Sequence, residues 1–407
     1  MRFAVIGAGM AGILSAIKLS ETGRHEVTVY EKNDALGGTW YENTYPGLSC
    51  DVPSHLYSYS FATNPEWSQQ YAPGDEIRAY FEQVAKQHDI ERLIRFGDEV
   101  TSARRVAGNW RVETASGHTE DVDVVIAATG VLHHPRYPSI GGLDTFAGDA
   151  FHSARWNHDI DLGNKRVGVI GNGSTGVQIV GALADQVGHL DLFQRTAQWI
   201  MPLENPRYSD EDKRAWRDDP ESLVDLHWTL SDLFAKFSNA VVDSDSPEIH
   251  AIAEMCLANL DDNVTDTDLR EKLRPDHRAG CKRLVVSNVF YDVMARSNTS
   301  LVTEDIACVE PEGVRTVDGV LHELDVLVLA TGFHTDAFMR PMEVVGRDGM
   351  TLEKAWEDGP IAYLSISMPE FPNFFMLNGP NGPVGNFSLI EVAERQFAYI
   401  EQLLDCI

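Results

Sequence analysis

Two glycine-rich turns carry the first chemistry in this chain. Gly7-Ala8-Gly9-Met10-Ala11-Gly12 follows an apolar run at residues 3–6, opens a helical pattern at 10–19, and leads to a second apolar run at 27–30. A strand, a tight turn free of side chains and a helix N-terminus together make a seat for a pyrophosphate. Glu31 lies 19 residues after Gly12, at the end of the next strand, where a carboxylate accepts both hydroxyls of a ribose. Gly171-Asn172-Gly173-Ser174-Thr175-Gly176 repeats the arrangement after another apolar run. At the matching offset stands Arg195, and a cation suits a ribose 2′-phosphate rather than a free hydroxyl. Opposite charges at matched positions imply two different dinucleotides, FAD at the first turn and NADPH at the second.

Those residues need elements to hold them. Residues 74–88 place Ile77, Tyr80, Phe81 and Val84 on one face of an amphipathic helix. The apolar segment ending in Ala128-Thr129-Gly130 is echoed by one ending in Ala330-Thr331-Gly332, each downstream of one glycine turn, with Gly130 and Gly332 placed as inter-domain hinges. A proline-rich stretch at 135–138 marks a boundary. Residues 204–275 change character, with 18 acidic against 8 basic residues and helical patterns at 223–237 and 249–260. The expected fold is α/β, with two Rossmann-like dinucleotide-binding domains and a helical insertion in the second. The FAD unit takes residues 1–140 and 335–407, the NADP unit 150–203 and 280–334, and the insertion 204–279.

The whole chain has 407 residues and a net charge of −29, which argues against nucleic acid or an anionic membrane surface as main partner. No apolar run approaches the roughly 20 residues needed to span a bilayer. Five cysteines (Cys50, Cys256, Cys281, Cys308 and Cys406) are scattered, with no C-x-x-C pair. They fit neither a disulfide framework nor a zinc site, and they speak against a disulfide reductase. A cytoplasmic protein without a metal is expected, monomeric or weakly self-associating.

Between the two turns the sequence becomes more specific. Gly37-Gly38-Thr39-Trp40, Tyr45-Pro46-Gly47 and Asp51 resemble the long fingerprint of type I Baeyer–Villiger monooxygenases at every defined position. Phe146, Gly148, His152 and Trp156 resemble that family's second fingerprint, departing only at Asn157, where Pro or Asp is usual. Gly280-Cys281-Lys282-Arg283 resembles its Lys-Arg pair, and residues 371–381 its return strand to the FAD domain.

The resemblance implies an FAD- and NADPH-dependent enzyme that inserts one oxygen atom of O₂ beside a ketone carbonyl through a C4a-peroxyflavin. It implies that Lys282 joins Arg195 and Thr196 around the NADP 2′-phosphate and that Arg283 is the catalytic cation. A buried arginine needs a partner, and Asp51 is the candidate. Trp40 and Tyr57 are expected beside the flavin ring, with Gly38 and Thr39 at the cofactor. His152 takes a conformational role in the linker, while His133, His134 and the aromatic residues of the insertion are left as structure. The substrate pocket is expected from 381–387 and parts of 204–240. Relatives continue past the helix that ends this chain, so a shortened C-terminus is expected. Two rivals stand beside this reading. One is an N- or S-oxidising flavin monooxygenase, which needs no catalytic arginine; the other is a catalytically impaired NADP-binding relative.

Overall fold

The computed structural model describes residues 1–243, 245–382 and 387–406. After Arg2 the first strand is all apolar, and such runs belong to parallel strands covered on both faces. Strand Arg2–Ile6 is indeed central. The parallel order is Phe374–Met376, Val124–Ala127, Arg2–Ile6, Glu26–Tyr30 and Ile94–Arg95. The second sheet repeats the plan as Thr299–Val302, His189–Phe193, Arg166–Ile170, Val326–Leu329 and Asp149–His152.

The echoed Ala-Thr-Gly segments have a shared geometric cause. Each follows the strand that pairs with the strand feeding a glycine turn. At those turns there is no room for a side chain. A Cβ on Gly12 would stand 1.8 Å from the Gly7 carbonyl oxygen, and one on Gly176 2.0 Å from that of Gly171. Ala128 and Ala330 close the two turns from the other side, their methyls each 3.7 Å from those positions.

Helix Met10–Glu21 packs Ile13, Leu14 and Ile17 with Ile77, Phe81 and Val84 of helix Gly74–Gln87 and with Ile390, Phe397 and Ile400 of helix Leu389–Leu404. The helix expected over 74–88 thus ends one residue earlier, with the expected face inward. A second core lies on the other sheet around Val167, Val180, Leu190 and Val328. Between the short paired strands Ile200–Met201 and Val285–Val286 run helices Asp210–Asp218, Pro220–Val242, Pro247–Asn263 and Thr267–Leu273. Ser209 and Asp212 form a reciprocal capping box, and Pro220 and Pro247 sit in first turns where no amide is needed. No helix among the described residues is long and apolar enough to cross a membrane.

The chain crosses between the sheets twice, and the two crossings are bonded to each other. The Arg136 amide donates to the Gly332 carbonyl at 2.9 Å, the His334 amide to the His134 carbonyl at 2.9 Å, and the Thr331 hydroxyl to the Arg136 carbonyl at 2.6 Å. His152 is fully buried, and its Nε2 lies 3.0 Å from the Gly332 carbonyl, so it ties the second fingerprint to a crossing.

Candidate active site

A cleft lined by both glycine turns collects most of the residues singled out in the sequence. Gly7, Gly9, Glu31, Gly38, Thr39, Trp40, Asp51 and Tyr57 line it from the first unit, Ser174 and Thr175 from the second turn, and Arg283 beyond the insertion. Gly12, Gly171, Gly173 and Gly176 shape the turns without facing the cleft. Arg195 and Lys282 are exposed and Thr196 is half-buried, all outside that lining. Among the described residues neither cation has an ion-pair partner, which leaves both free for a phosphate.

Glu31 ends its strand nearly buried, at 4% exposure, and burial raises its pKa above the ordinary glutamate value. Backbone donors counter that shift: the Ala8 amide donates to Oε2 at 2.7 Å and the Asn33 amide to Oε1 at 2.9 Å. Trp40 and Tyr57 meet edge to face at 5.7 Å, and the indole N–H donates to the Tyr57 hydroxyl at 3.1 Å.

Arg283 and Asp51, 232 residues apart, are in contact. Nη2 of the arginine donates to both carboxylate oxygens, each at 2.5 Å. The expectation of a buried arginine is corrected: its side chain is 44% exposed, against 19% for Asp51. The guanidinium stands at the open side of the cleft, where only one of its nitrogens is engaged. Nε and Nη1 have no protein partner among the described residues.

The cleft fits an elongated dinucleotide with a flavin. Gly9 and Gly38 bring bare backbone together, a Cβ on Gly38 falling 3.0 Å from the Gly9 Cα. Nearby, both ring nitrogens of His133 and Oε2 of Glu42 are buried without a partner. Burial above all, and then neighbouring His134, pushes the His133 pKa down to about 4, so its neutral ring offers one donor and one acceptor. His133 was set aside as structure in the sequence, and Gln178 was not singled out there; both line the cleft. The only signal was the position of His133 three residues past the Gly130 hinge. The return crossing also contributes, through Phe338 and Met342.

The comparisons fall on this geometry. Residues 1–210 match the family described as flavin-binding monooxygenase-like. This chain belongs to that family. It is 49% identical over 403 residues to an uncharacterised monooxygenase of Mycobacterium tuberculosis, covering 98% of this chain and 80% of the relative. A Baeyer–Villiger monooxygenase of Streptomyces coelicolor is 39% identical over 416 residues, covering 99% and 78%. Among solved structures, cyclohexanone monooxygenase from Rhodococcus bound to NADP⁺ superposes with a TM-score of 0.86 at 34% identity, covering 98% of this chain and 84% of that one.

In this family member the expected pocket is only partly realised. Phe387 lines the cleft beside Leu377 and Leu389, while 383–386 lie outside the described residues. Among the described residues, none of 204–240 lines it. The insertion instead leans on the first unit: His227 Nδ1 lies 2.9 Å from the His55 carbonyl, and the Ser231 hydroxyl donates to Glu391 at 2.9 Å.

The buried His55 ring gives the stability here a pH dependence. It is 3% exposed, with Trp216 edge-on at 4.5 Å and Tyr208 at 5.1 Å, and burial followed by His227 lowers its pKa to about 4. The unfolded imidazole titrates near 6.5, so between those values the unfolded chain binds a proton that the native one refuses. Stability therefore falls as pH drops through that window, by about 1.4 kcal/mol per unit for this group. Thermal unfolding between pH 7 and 5 should show a shallower fall in His55→Phe than in wild type. Equal slopes would remove His55 as a cause.

Proposed function

We propose that this chain is an FAD- and NADPH-dependent Baeyer–Villiger monooxygenase that inserts one oxygen atom of O₂ beside a ketone carbonyl, giving an ester or lactone. The observation that carries this reading is Arg283, held through one nitrogen by Asp51 at the open side of a cleft that both dinucleotide turns line. Bound FAD, reduced by NADPH, supplies the activation of O₂. The protein's own part is placement and charge. Glu31 and the first turn hold the FAD ribose and pyrophosphate. Gly38, Thr39, Trp40 and Tyr57 border the flavin, and the second turn with Arg195, Thr196 and Lys282 takes NADPH. As oxygen is inserted, the ketone oxygen gains negative charge, and the free N–H groups of Arg283 donate to it. A guanidinium suits that task because it stays protonated and keeps its donors in a fixed plane.

The same reading assigns 1–140 with 335–407 to FAD and 150–203 with 280–334 to NADP, in line with the two separate cores. It also takes the protein as cytoplasmic and monomeric or weakly self-associating, supported by the net charge of −29 and by five free cysteines.

The test is NADPH consumption and product mass over a panel of ketones, amines and sulfides. Esters from ketones support the proposal; N- or S-oxides without any ester reject it. Cofactor choice gives a second expectation. Arg195→Ala should raise the KM for NADPH about 10–100-fold with kcat little changed, because a charge-assisted bond to the 2′-phosphate is lost. Steady-state kinetics with NADPH and NADH check it, and an unchanged preference would place the phosphate elsewhere.

A further inference from the structure

The loop that carries Asp51 belongs by sequence to the first unit and packs on both: Cys50 and Val52 lie in the first core, Tyr45 and Leu48 against the second. Tyr45 is 8% exposed and sits in the core built by Val177, Val180 and Val328. Above it runs helix Ser174–Leu183, which begins at the second glycine turn. Gln178 lies one helical turn past Ser174, on the face directed at the cleft.

Its side chain grips the loop at two points. Oε1 accepts the Tyr45 hydroxyl at 2.9 Å, while Nε2 donates to the Ser49 carbonyl at 3.0 Å and to its Oγ at 3.2 Å. Thr175 reaches the Tyr45 hydroxyl from the turn itself, at 3.4 Å. The approach is close enough to require glycine between them: a Cβ on Gly47, whose φ is +82°, would stand 2.6 Å from the Gln178 carbonyl oxygen. Two residues beyond Ser49 comes Asp51, and Asp51 holds Arg283.

We propose that Gln178 is a positioning residue that latches the Tyr45–Ser49 loop to the helix of the second dinucleotide turn. Occupancy of that turn thereby sets the placement of the Asp51–Arg283 pair. Neither the glycine pattern nor the Lys-Arg pair assigns this task to Gln178. It acts through the loop and touches no reacting atom. The inference rests on the oxygenation reading for its catalytic consequence, but the latch itself is independent of it.

The test uses the full chain with FAD bound, as wild type, Gln178→Leu, Gln178→Glu and Tyr45→Phe. Gln178→Leu removes both grips, Gln178→Glu keeps the acceptor for Tyr45 and loses the donor to Ser49, and Tyr45→Phe removes one hydroxyl. Two readouts are taken: amide hydrogen exchange of residues 45–51 with and without NADP⁺, and ester formed per NADPH oxidised. In wild type NADP⁺ slows exchange of the loop; in Gln178→Leu that protection is lost. Ester per NADPH falls about tenfold in Gln178→Leu and less in the other two, as expected for one or two lost hydrogen bonds. The KM for NADPH stays within about threefold of wild type. Equal loop protection and equal coupling in all four proteins overturn the proposal, as does a loss confined to the KM. If Gln178→Leu does not fold, Tyr45→Phe decides alone. If wild type forms no ester from any ketone, the oxygenation reading fails, and the exchange comparison still decides the latch.

Discussion

Arg283→Ala will form ester from a ketone about 10²–10³-fold more slowly than wild type, while remaining yellow and folding normally. The size follows from the job proposed for this side chain. A preorganised cation beside a developing oxyanion contributes only as charge builds up, so its loss falls on kcat and on kcat/KM together. Folding should be spared because the guanidinium is 44% exposed and its one ion pair is only partly buried; such pairs contribute about 0–1 kcal/mol. Arg283→Lys is not expected to rescue. A lysine keeps the charge but cannot hold Asp51 with one nitrogen while presenting others in the same plane. Product mass and NADPH oxidation are measured together, with flavin absorbance and thermal unfolding as controls. Near wild-type ester formation in Arg283→Ala would remove the arginine from the mechanism.

The second large effect separates the two nucleotide sites. Gly12→Ala should purify colourless. Its Cβ would lie 1.8 Å from the Gly7 carbonyl oxygen and 2.9 Å from the Gly7 carbonyl carbon, both backbone atoms of the turn proposed to take the pyrophosphate. The backbone must shift, at a cost of about 1–3 kcal/mol for overpacking, and the turn is lost as a binding surface. Gly176→Ala carries the matching clash, 2.0 Å from the Gly171 oxygen, in the other sheet. That variant should stay yellow and be reduced by dithionite, yet require about 100-fold more NADPH for the same rate of flavin reduction. Flavin absorbance after purification and stopped-flow reduction check both. A yellow Gly12→Ala protein, or a Gly176→Ala protein reduced normally by NADPH, would contradict the assignment of turns to cofactors.

The parallel sheets were legible because their signals are local. An apolar run, a glycine turn and a helical period within thirty residues specify one βαβ step, and the chain contains it twice. Helix Gly74–Gln87 was legible for the same reason. What escaped notice depends on distant partners. Strand Glu343–Val345 pairs with residues 102–104 of another sheet, and nothing in its three residues announces that. Nor do the 128–136 and 330–334 stretches, taken singly, reveal that they are bonded to each other. Within the site, Arg283 and Asp51 were brought together by resemblance to a family, and the structure adds that only one guanidinium nitrogen is engaged. Gln178 carried no signal, since a glutamine on a helix matters here only for what the Tyr45–Ser49 loop places against it. Parts of 204–240 were expected in the pocket only because the family resemblance implies it, not from any residue of the insertion itself. The insertion's buried contacts to His55 and Glu391 instead turn it toward the first unit.

The central claim is that this protein moves one atom of O₂ into a ketone. Purified yellow protein, NADPH and a panel of ketones under isotopically heavy O₂, with products weighed by mass spectrometry, test it directly. The account predicts an ester or lactone carrying one heavy oxygen atom, formed with NADPH consumption and sharply reduced in Arg283→Ala. NADPH oxidation that yields only hydrogen peroxide across the panel, or an ester without the heavy atom, would contradict it.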